Sequence, residues 1–342
     1  MRRALILAAS FVLLLLAAYS AYWYVMASRA GDWVAYWAAP APGKAWHGSF
    51  GATEVDGFPF ALNVTVRDHS VTWQGGAGDA VWQGPWLVAR FKPWTLASFS
   101  IDLPREQTVL IDDGSRLRMV AVTMESGTAE VAMDDGRARA LHGTFTDVVV
   151  THEQNAGPVT VDRLEIDLAS AEGEGAYDVA IHAEGLGLAG QVVPPFDGHV
   201  PLAATRFRWV GTLPDHGSLQ SRLETWRTEG GIVEVESLNL DWPPLEVVAT
   251  GSLALDGQLR PIGAFRGDVV GYRELLDAME TVGMVERSEA SVVGAALDFM
   301  ARTDEDGTRR LAVDISMQHG MLSVGPVPVV PLPPVLPEGA GF

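Results

Sequence analysis

The sequence predicts a mainly β protein: a hairpin-rich, curved antiparallel sheet with a few short helices, preceded by one N-terminal transmembrane helix. Three observations lead there. Residues 4–27 carry no charge, the dipeptide Asp-Gly recurs along the chain, and apolar and polar residues alternate beside those dipeptides.

The apolar run ALILAASFVLLLLAAYSAYWYVMA is long enough, at ~1.5 Å rise per helical residue, to cross a ~30 Å hydrocarbon core with some tilt. Arg2 and Arg3 precede it, whereas Arg29 is soon balanced by Asp32. The positive-inside rule then places the short N-terminus in the cytoplasm and the rest of the chain outside. Tyr19, Tyr22, Trp23 and Tyr24 crowd the outer end, where amphipathic rings favour the headgroup level. The competing reading is a signal peptide cleaved after Ala27 or Ala30. A signal h-region spans roughly 7–15 residues, and this run exceeds it.

Asp-Gly occurs at Asp56-Gly57, Asp113-Gly114, Asp135-Gly136, Asp197-Gly198, Asp256-Gly257 and Asp306-Gly307. The pair suits a type I′ turn, which needs φ > 0 at both central residues. Phe58, Phe60, Leu62, Val64 and Val66 follow the first dipeptide with a period of two. Leu253 and Leu255 lead into Asp256-Gly257, and Leu259, Ile262 and Phe265 lead away. Val159, Val161, Leu164, Ile166 and Leu168 form another strand, whose one slip in phase reads as a bulge. Such alternation implies an antiparallel sheet with one apolar face.

Three segments have helical spacing instead. Leu219, Leu223 and Trp226 follow a Ser218 cap; Leu275, Leu276, Met279 and Val282 mark a helix over 271–282; Val292, Val293, Ala296, Leu297 and Met300 mark a third, capped by Ser288. The last two are expected to form a pair through Gly283, with their apolar stripes packed on the sheet. Pro194-Pro195 to Pro201 is a candidate linker, and the tail from Pro326 should run extended rather than join a ladder. The expected organisation is an anchor with a short cytoplasmic end (1–30), a first β-rich unit (31–195), a second with the helix pair (196–325) and a Pro-rich tail (326–342). One continuous sheet through 190–204 is equally compatible with the sequence.

Composition narrows the function. The net charge of −19 argues against nucleic acid, which demands clustered Lys and Arg. Cys is absent, which removes disulfides, thiolate metal sites and thiol nucleophiles. The eight histidines (His47, His69, His142, His152, His182, His199, His216 and His319) show no metal-ligand spacing, and His152-Glu153 has no second His one helical turn on. There is no Gly-x-Ser-x-Gly elbow, phosphate loop or dinucleotide fingerprint. Acidic pairs such as Asp112/Asp113 and Glu234/Glu236 read as solvated turns and strand edges. Trp33, Trp37, Trp46, Trp73, Trp82, Trp86 and Trp94 read as core and membrane-interface aromatics. No catalytic, cofactor-binding or metal-binding residue is identified, no cofactor is implied, and an enzyme is not expected.

Several motifs resemble a known family. Gly57-Phe58-Pro59-Phe60 entering a strand, the run Pro85-Trp86-Leu87-Val88-Ala89-Arg90-Phe91 with Pro93, and Ile101-Asp102-Leu103-Pro104 resemble the bacterial domain-of-unknown-function family 2125. So do the late Asp-Gly hairpin, the helix pair and the Gly-Pro-rich ending. The resemblance implies an inner-membrane protein facing the periplasm, and implies no activity. The segment from Gly251 to Gly257, running on to Pro261-Ile262-Gly263, is similar to strand pairs of AsmA-like envelope proteins. That likeness implies a long curved sheet associated with lipid handling.

Three functions follow as expectations. The first is a membrane-anchored envelope scaffold or lipid-interacting protein. The alternative is an envelope protein–protein interaction module, and a glycan-acting hydrolase comes third. The inner membrane is the expected partner through the N-terminal helix, with lipid or an envelope protein as the second. An open apolar face would favour lipid, a packed core the module, and a polar cleft with paired carboxylates the hydrolase.

Overall fold

The computed structural model describes all residues except 1, 41–45, 76–77, 113–116, 135–136, 153–156, 173–174, 189, 191–195, 215–216, 306, 325–326 and 337–342. The first element, α1 (Arg2–Ala38), is longer than the apolar run and continues past Arg29 and Asp32. It includes a stretch long and apolar enough to cross a membrane.

The described residues then form one antiparallel sheet of 19 strands. Its first part comprises β1 (Trp46–Ser49), β2 (Ala52–Asp56), β3 (Leu62–Gly75), β4 (Gly78–Lys92), β5 (Thr95–Asp102), β6 (Glu106–Asp112), β7 (Leu117–Thr123), β8 (Ser126–Asp134) and β9 (Arg137–His152). Next come β10 (Val159–Ser170), β11 (Tyr177–Leu188), β12 (His199–Val210), α2 (Leu219–Thr228), β13 (Ile232–Trp242), β14 (Leu245–Leu255) and β15 (Pro261–Val270). The helix pair α3 (Tyr272–Thr281) and α4 (Arg287–Met300) precedes β16 (Arg302–Thr303), β17 (Arg309–Gln318), β18 (Met321–Val324) and β19 (Val327–Pro331).

From β9 to β15 each strand pairs with the next, and β17 then pairs with β15. Through the candidate linker, Tyr177–Gly187 of β11 pairs with β12, so the sheet continues across it. Nearer the N-terminus the long strands β4 and β9 are bridged twice, by β5–β8 at one end and β6–β7 at the other.

The phase slip seen in the sequence of β10 is not a bulge. Val161 is buried and Leu164 half-buried in one apolar cluster, while Asp162 and Arg163 both face solvent. The register is unshifted across it: Thr160 opposes Gly187 and Arg163 opposes Glu184. The slip belongs to a crease. Asp68, Pro85, Arg105, Glu125, Asp147, Asp162, Gly185 and Pro201 line up from β3 to β12, and none has a ladder partner. Asp68, Asp147 and Gly185 adopt positive φ there (49°, 49° and 63°). In β3, β4 and β9 to β12 two consecutive residues thus turn away from the apolar face and the apolar phase resumes beyond, while Arg105 and Glu125 continue the line between strands.

Several local expectations are corrected. Asp56-Gly57 does not close a two-residue hairpin; five residues, 57–61, separate β2 from β3, although Gly57 does have φ 101°. Asp256-Gly257 opens a five-residue loop in which Leu259 (φ 56°), not Gly257, is left-handed. The Asp256 carboxylate organises this loop: it accepts from the backbone N–H of Gln258 (2.8 Å) and Arg260 (2.9 Å) and pairs with the Arg260 guanidinium. Those hydrogen bonds hold its pKa below the usual value against the opposing effect of burial, the largest single influence on it. Asp197-Gly198 leads into β12, with Asp197 accepting from the His199 N–H. Asp113-Gly114, Asp135-Gly136 and Asp306 lie outside the described residues.

Ser218 does cap α2, accepting from the Ser221 N–H. Ser288 does not cap α4; Glu286 does, in a capping box with Glu289. The helix pair turns through Gly283 (φ 76°), as its spacing suggests. Its stripes are packed only in part: Leu275, Leu276, Met279 and Leu297 are half-buried, whereas Val282, Val292, Val293 and Met300 are exposed, and the neighbouring Phe299 is 93% exposed. Tyr272 and Ala290 are the buried residues of the pair. The tail also departs from expectation, since β19 joins the ladder of β18 at the sheet edge, with a register shift. An edge strand tolerates the missing N–H of Pro328 and Pro331.

The loop 256–260 yields a contrast. Asp256→Ala should cost about 1–2 kcal/mol through lost charge-assisted hydrogen bonds, and Gly257→Val should change stability by less than about 0.5 kcal/mol, as at an ordinary surface site. Urea midpoints of the full chain in mild detergent measure both. Equal losses would mean that the left-handed position lies at Gly257 after all.

Candidate functional site: an apolar face in register across the sheet

The ladders place one apolar side chain opposite another across most of the sheet. Leu62 of β3 opposes Phe91, Phe91 opposes Phe99, and Phe99 opposes Val131. The line continues through Leu141, Leu168, Val179, Phe207 and Val235. It ends through Gly251, Phe265 and Ile315 of β17. Directly opposed residues share a face, so this is one apolar row, about 50 Å long at ~4.8 Å per strand. Two residues along each strand, and three in β13 where a bulge lies between Val235 and Leu238, a second row runs beside it, from Val64 through Ile101, Ile166, Ile181 and Leu238 to Val313. Its only hydroxyl is Thr205.

Helices cover this face in two places. Residues of α1 lie over its first strands, where Trp23, Leu62 and Val64 form a buried cluster. Trp226 of α2 is buried against Val233, Leu255 and Leu259, with its ring stacked 4.4 Å from Trp209. Gly231 lies beneath it; a Cβ there would meet the indole at 2.2 Å. Between these covers, Leu168, Val179, Ile166 and Ile181 are only half-buried, and Leu141 is exposed. The whole chain exposes 20681 Å². A compact monomer of this mass would expose about 13,500 Å². The projecting α1 and the open face both contribute to the excess.

Beside α1 the face deepens into a cavity of about 460 Å³, lined by Trp33 and Val34 of the helix and by Leu62, Val66, Phe91 and Phe99 of the sheet. Arg29 is the one charged residue lining it. Trp33 stands edge-on to Phe91 at 6.4 Å, so one of the interface tryptophans read from the sequence forms a wall of this cavity.

The opposite face is polar. Its row runs Arg90, Ser100, Glu130, His142, Asp167, Ala180, Arg206. A shallow trough of about 520 Å³ crosses it, floored by small residues such as Ala132, Ala140 and Ala169. His142 Nδ1 lies 2.6 Å from Asp167, and Arg90 pairs with Asp102. The Asp167 hydrogen bond raises the His142 pKa. His142 and Asp167 are both about half exposed, so theirs is a surface ion pair. Among the described residues no cluster of His, Asp and Glu could hold a metal.

A histidine is buried on the apolar side. His69 is buried against the Trp82 ring, 4.7 Å between centroids, beneath Gly84. Among the described atoms neither of its ring nitrogens has a hydrogen-bond partner, and burial lowers its pKa. Sequence spacing alone could not distinguish it from the other histidines.

The comparisons with known proteins bear on the same surface. A family model described as "Uncharacterized protein conserved in bacteria (DUF2125)" matches residues 23–333. The chain belongs to this family. The DUF2125 match begins at Trp23, the residue that donates from Nε1 to the Ala61 carbonyl at 2.9 Å and packs on Leu62 and Val64. It therefore takes in the junction of α1 with the apolar face as well as the whole of the sheet. No curated protein and no solved structure matches the chain.

His69 gives the site a pH dependence of known sign. Its folded pKa lies below the ordinary 6.5, so its neutral form is favoured in the native state. The stability this gives is fully present above pH 6.5 and is lost as pH falls through that value toward the lower folded pKa. His69→Leu should flatten that part of the urea-midpoint curve below neutrality. A curve that falls as steeply in the variant would place the acid sensitivity elsewhere.

Proposed function

We propose that this DUF2125 protein is a single-pass envelope protein, anchored in the inner membrane by α1 with its sheet in the periplasm, that holds lipid hydrocarbon along its apolar face without catalysing a reaction. The observation that carries this reading is the in-register apolar row from Leu62 to Ile315, left half-open between α1 and α2. Hydrocarbon needs no directional partner, so a continuous apolar strip in contact with a membrane helix suits it.

A second reading has its own support. The exposed Val292, Val293, Phe299 and Met300 of α4 form an amphipathic face of the kind that docks into a partner's groove. It would make the protein an interaction module, with the row as an incomplete core. Surface ion pairs on the polar face supply no general acid and base, which leaves a hydrolase the least supported of the three.

Native mass spectrometry of the detergent-extracted chain separates these readings. Wild type should carry co-purified phospholipid, and Leu141→Glu with Leu168→Glu, neighbours across β9 and β10, should lose most of it while keeping the fold. Lipid-free wild type would overturn the proposal. Topology has its own measurement: a reporter active only in the cytoplasm should be silent when fused after Phe342, and an active fusion would reverse the orientation.

A further inference from the structure

Two strand tips lie at the level of the aromatic belt of α1. They are the β2–β3 connection, 57–61, and the β4–β5 connection at Pro93-Trp94. These tips are neighbours, since Leu62 at the start of β3 opposes Phe91 near the end of β4. Three aromatic side chains of α1 tie to them. Tyr19 donates its hydroxyl to the Pro59 carbonyl, Tyr22 donates to the Pro93 carbonyl at 2.8 Å, and the Trp23 indole donates to the Ala61 carbonyl at 2.9 Å. The Phe58 ring meets Trp23 edge-on at 5.4 Å.

What the tips present outward is unusual for loops. Phe58 is 54% exposed, Phe60 74% and Trp94 62%. No charged residue lies between Gly57 and Leu62, or between Pro93 and Ser100. Loops at a water-exposed end of a sheet are normally polar. The position of α1 supplies the explanation. Trp23 is 19 residues beyond Ala4, about 28 Å along the helix, which is nearly the thickness of the hydrocarbon core. Tyr19 through Trp23 therefore reach the outer boundary of the bilayer, and their hydrogen bonds bring Pro59, Ala61 and Pro93 to that depth.

We infer that the tips carrying Phe58, Phe60 and Trp94 insert into the outer leaflet beside α1, at the boundary of headgroups and acyl chains. The occupant of this surface is the bilayer that α1 spans, so the inference rests on the anchor reading. Aromatic residues favour that boundary, where an apolar ring and a polar edge are both accommodated. Lys92, exposed next to Pro93, can direct its ammonium to the phosphates while its stem stays in apolar surroundings. The second contact fixes how the sheet stands: β3 starts and β4 ends at the membrane surface, and the cavity walled by Trp33 and Phe91 opens next to the leaflet.

The absence of Cys gives a direct measurement. Single-cysteine full-length chains Phe60→Cys, Trp94→Cys, Leu14→Cys and Gln258→Cys carry an environment-sensitive nitrobenzoxadiazole label in vesicles of phosphatidylethanolamine and phosphatidylglycerol. Quenching by a lipid with a nitroxide high on its acyl chain is compared with quenching by aqueous iodide. The labels at 60 and 94 should be blue-shifted, quenched by the nitroxide lipid and shielded from iodide, whereas the label at 258 should show the reverse. If 60 and 94 behave like 258 while 14 is quenched by the nitroxide lipid, the anchor stands and the inference fails. If 14 also escapes the nitroxide lipid, the anchor reading itself fails. Labels at 60 and 94 shielded from both quenchers would mean that a protein, not lipid, covers the tips, and would equally overturn it.

Discussion

Every strand of this sheet must keep its apolar side chains on one face, and that requirement governs the rest of the fold. A slip of one residue in any ladder would turn a whole strand inside out. The molecule answers at the crease, where Asp68, Asp147, Asp162 and Gly185 occupy the same row and each strand places two residues outward without changing register. Had one strand alone carried the extra outward residue, its apolar set beyond the crease would have opposed polar neighbours. Aligned across the sheet from β3 to β12, the irregularity leaves the face continuous. Positive φ at Asp68 and Asp147 fits, because Asp tolerates the left-handed region better than bulkier residues do.

A sheet that is apolar on one face needs a second layer, and this chain supplies one only at two places. The outer half of α1 follows β3, as the Trp23 bond to Ala61 at one end and the approach of Ala38 to Gly48 at the other indicate. At the other place α2 presents Trp226 to Val233 and Leu255, its indole bonded to the Val210 carbonyl. These covers close the core enough to order the sheet. They do not close it over β9 to β11, where Leu141 and Leu168 stand opposite one another.

Much of this was legible in the sequence, and the remainder was not, for identifiable reasons. Alternation of period two, the long uncharged run and the spacing of Leu219, Leu223 and Trp226 are local signals, and the elements they mark are present. Turn geometry was less legible: Asp-Gly marks a change of direction, but whether Gly257 or Leu259 takes the positive φ depends on which N–H groups the Asp256 carboxylate reaches. Apolar stripes on α3 and α4 resemble core stripes because periodicity reports amphipathicity and not what lies opposite. The row from Leu62 to Ile315 was invisible for a different reason. Each member occupies an unremarkable alternate position in its own strand, and only the registers reveal that the members face one another.

The two faces of the sheet make different demands on a ligand. On the polar face, Arg90 already pairs with Asp102 and His142 with Asp167, so a ligand there would have to replace existing pairs at little net gain. On the apolar face the partner displaced is water, and each methylene brought onto it contributes about 0.8 kcal/mol when fully buried. A binder of this kind discriminates by length and continuity rather than by hydrogen bonds, which suits a family of chemically similar hydrocarbon chains. Arg29 is the one charged residue lining the apolar cavity beside α1, and under the proposed function it would meet the polar end of an amphiphile whose chain lies along the row.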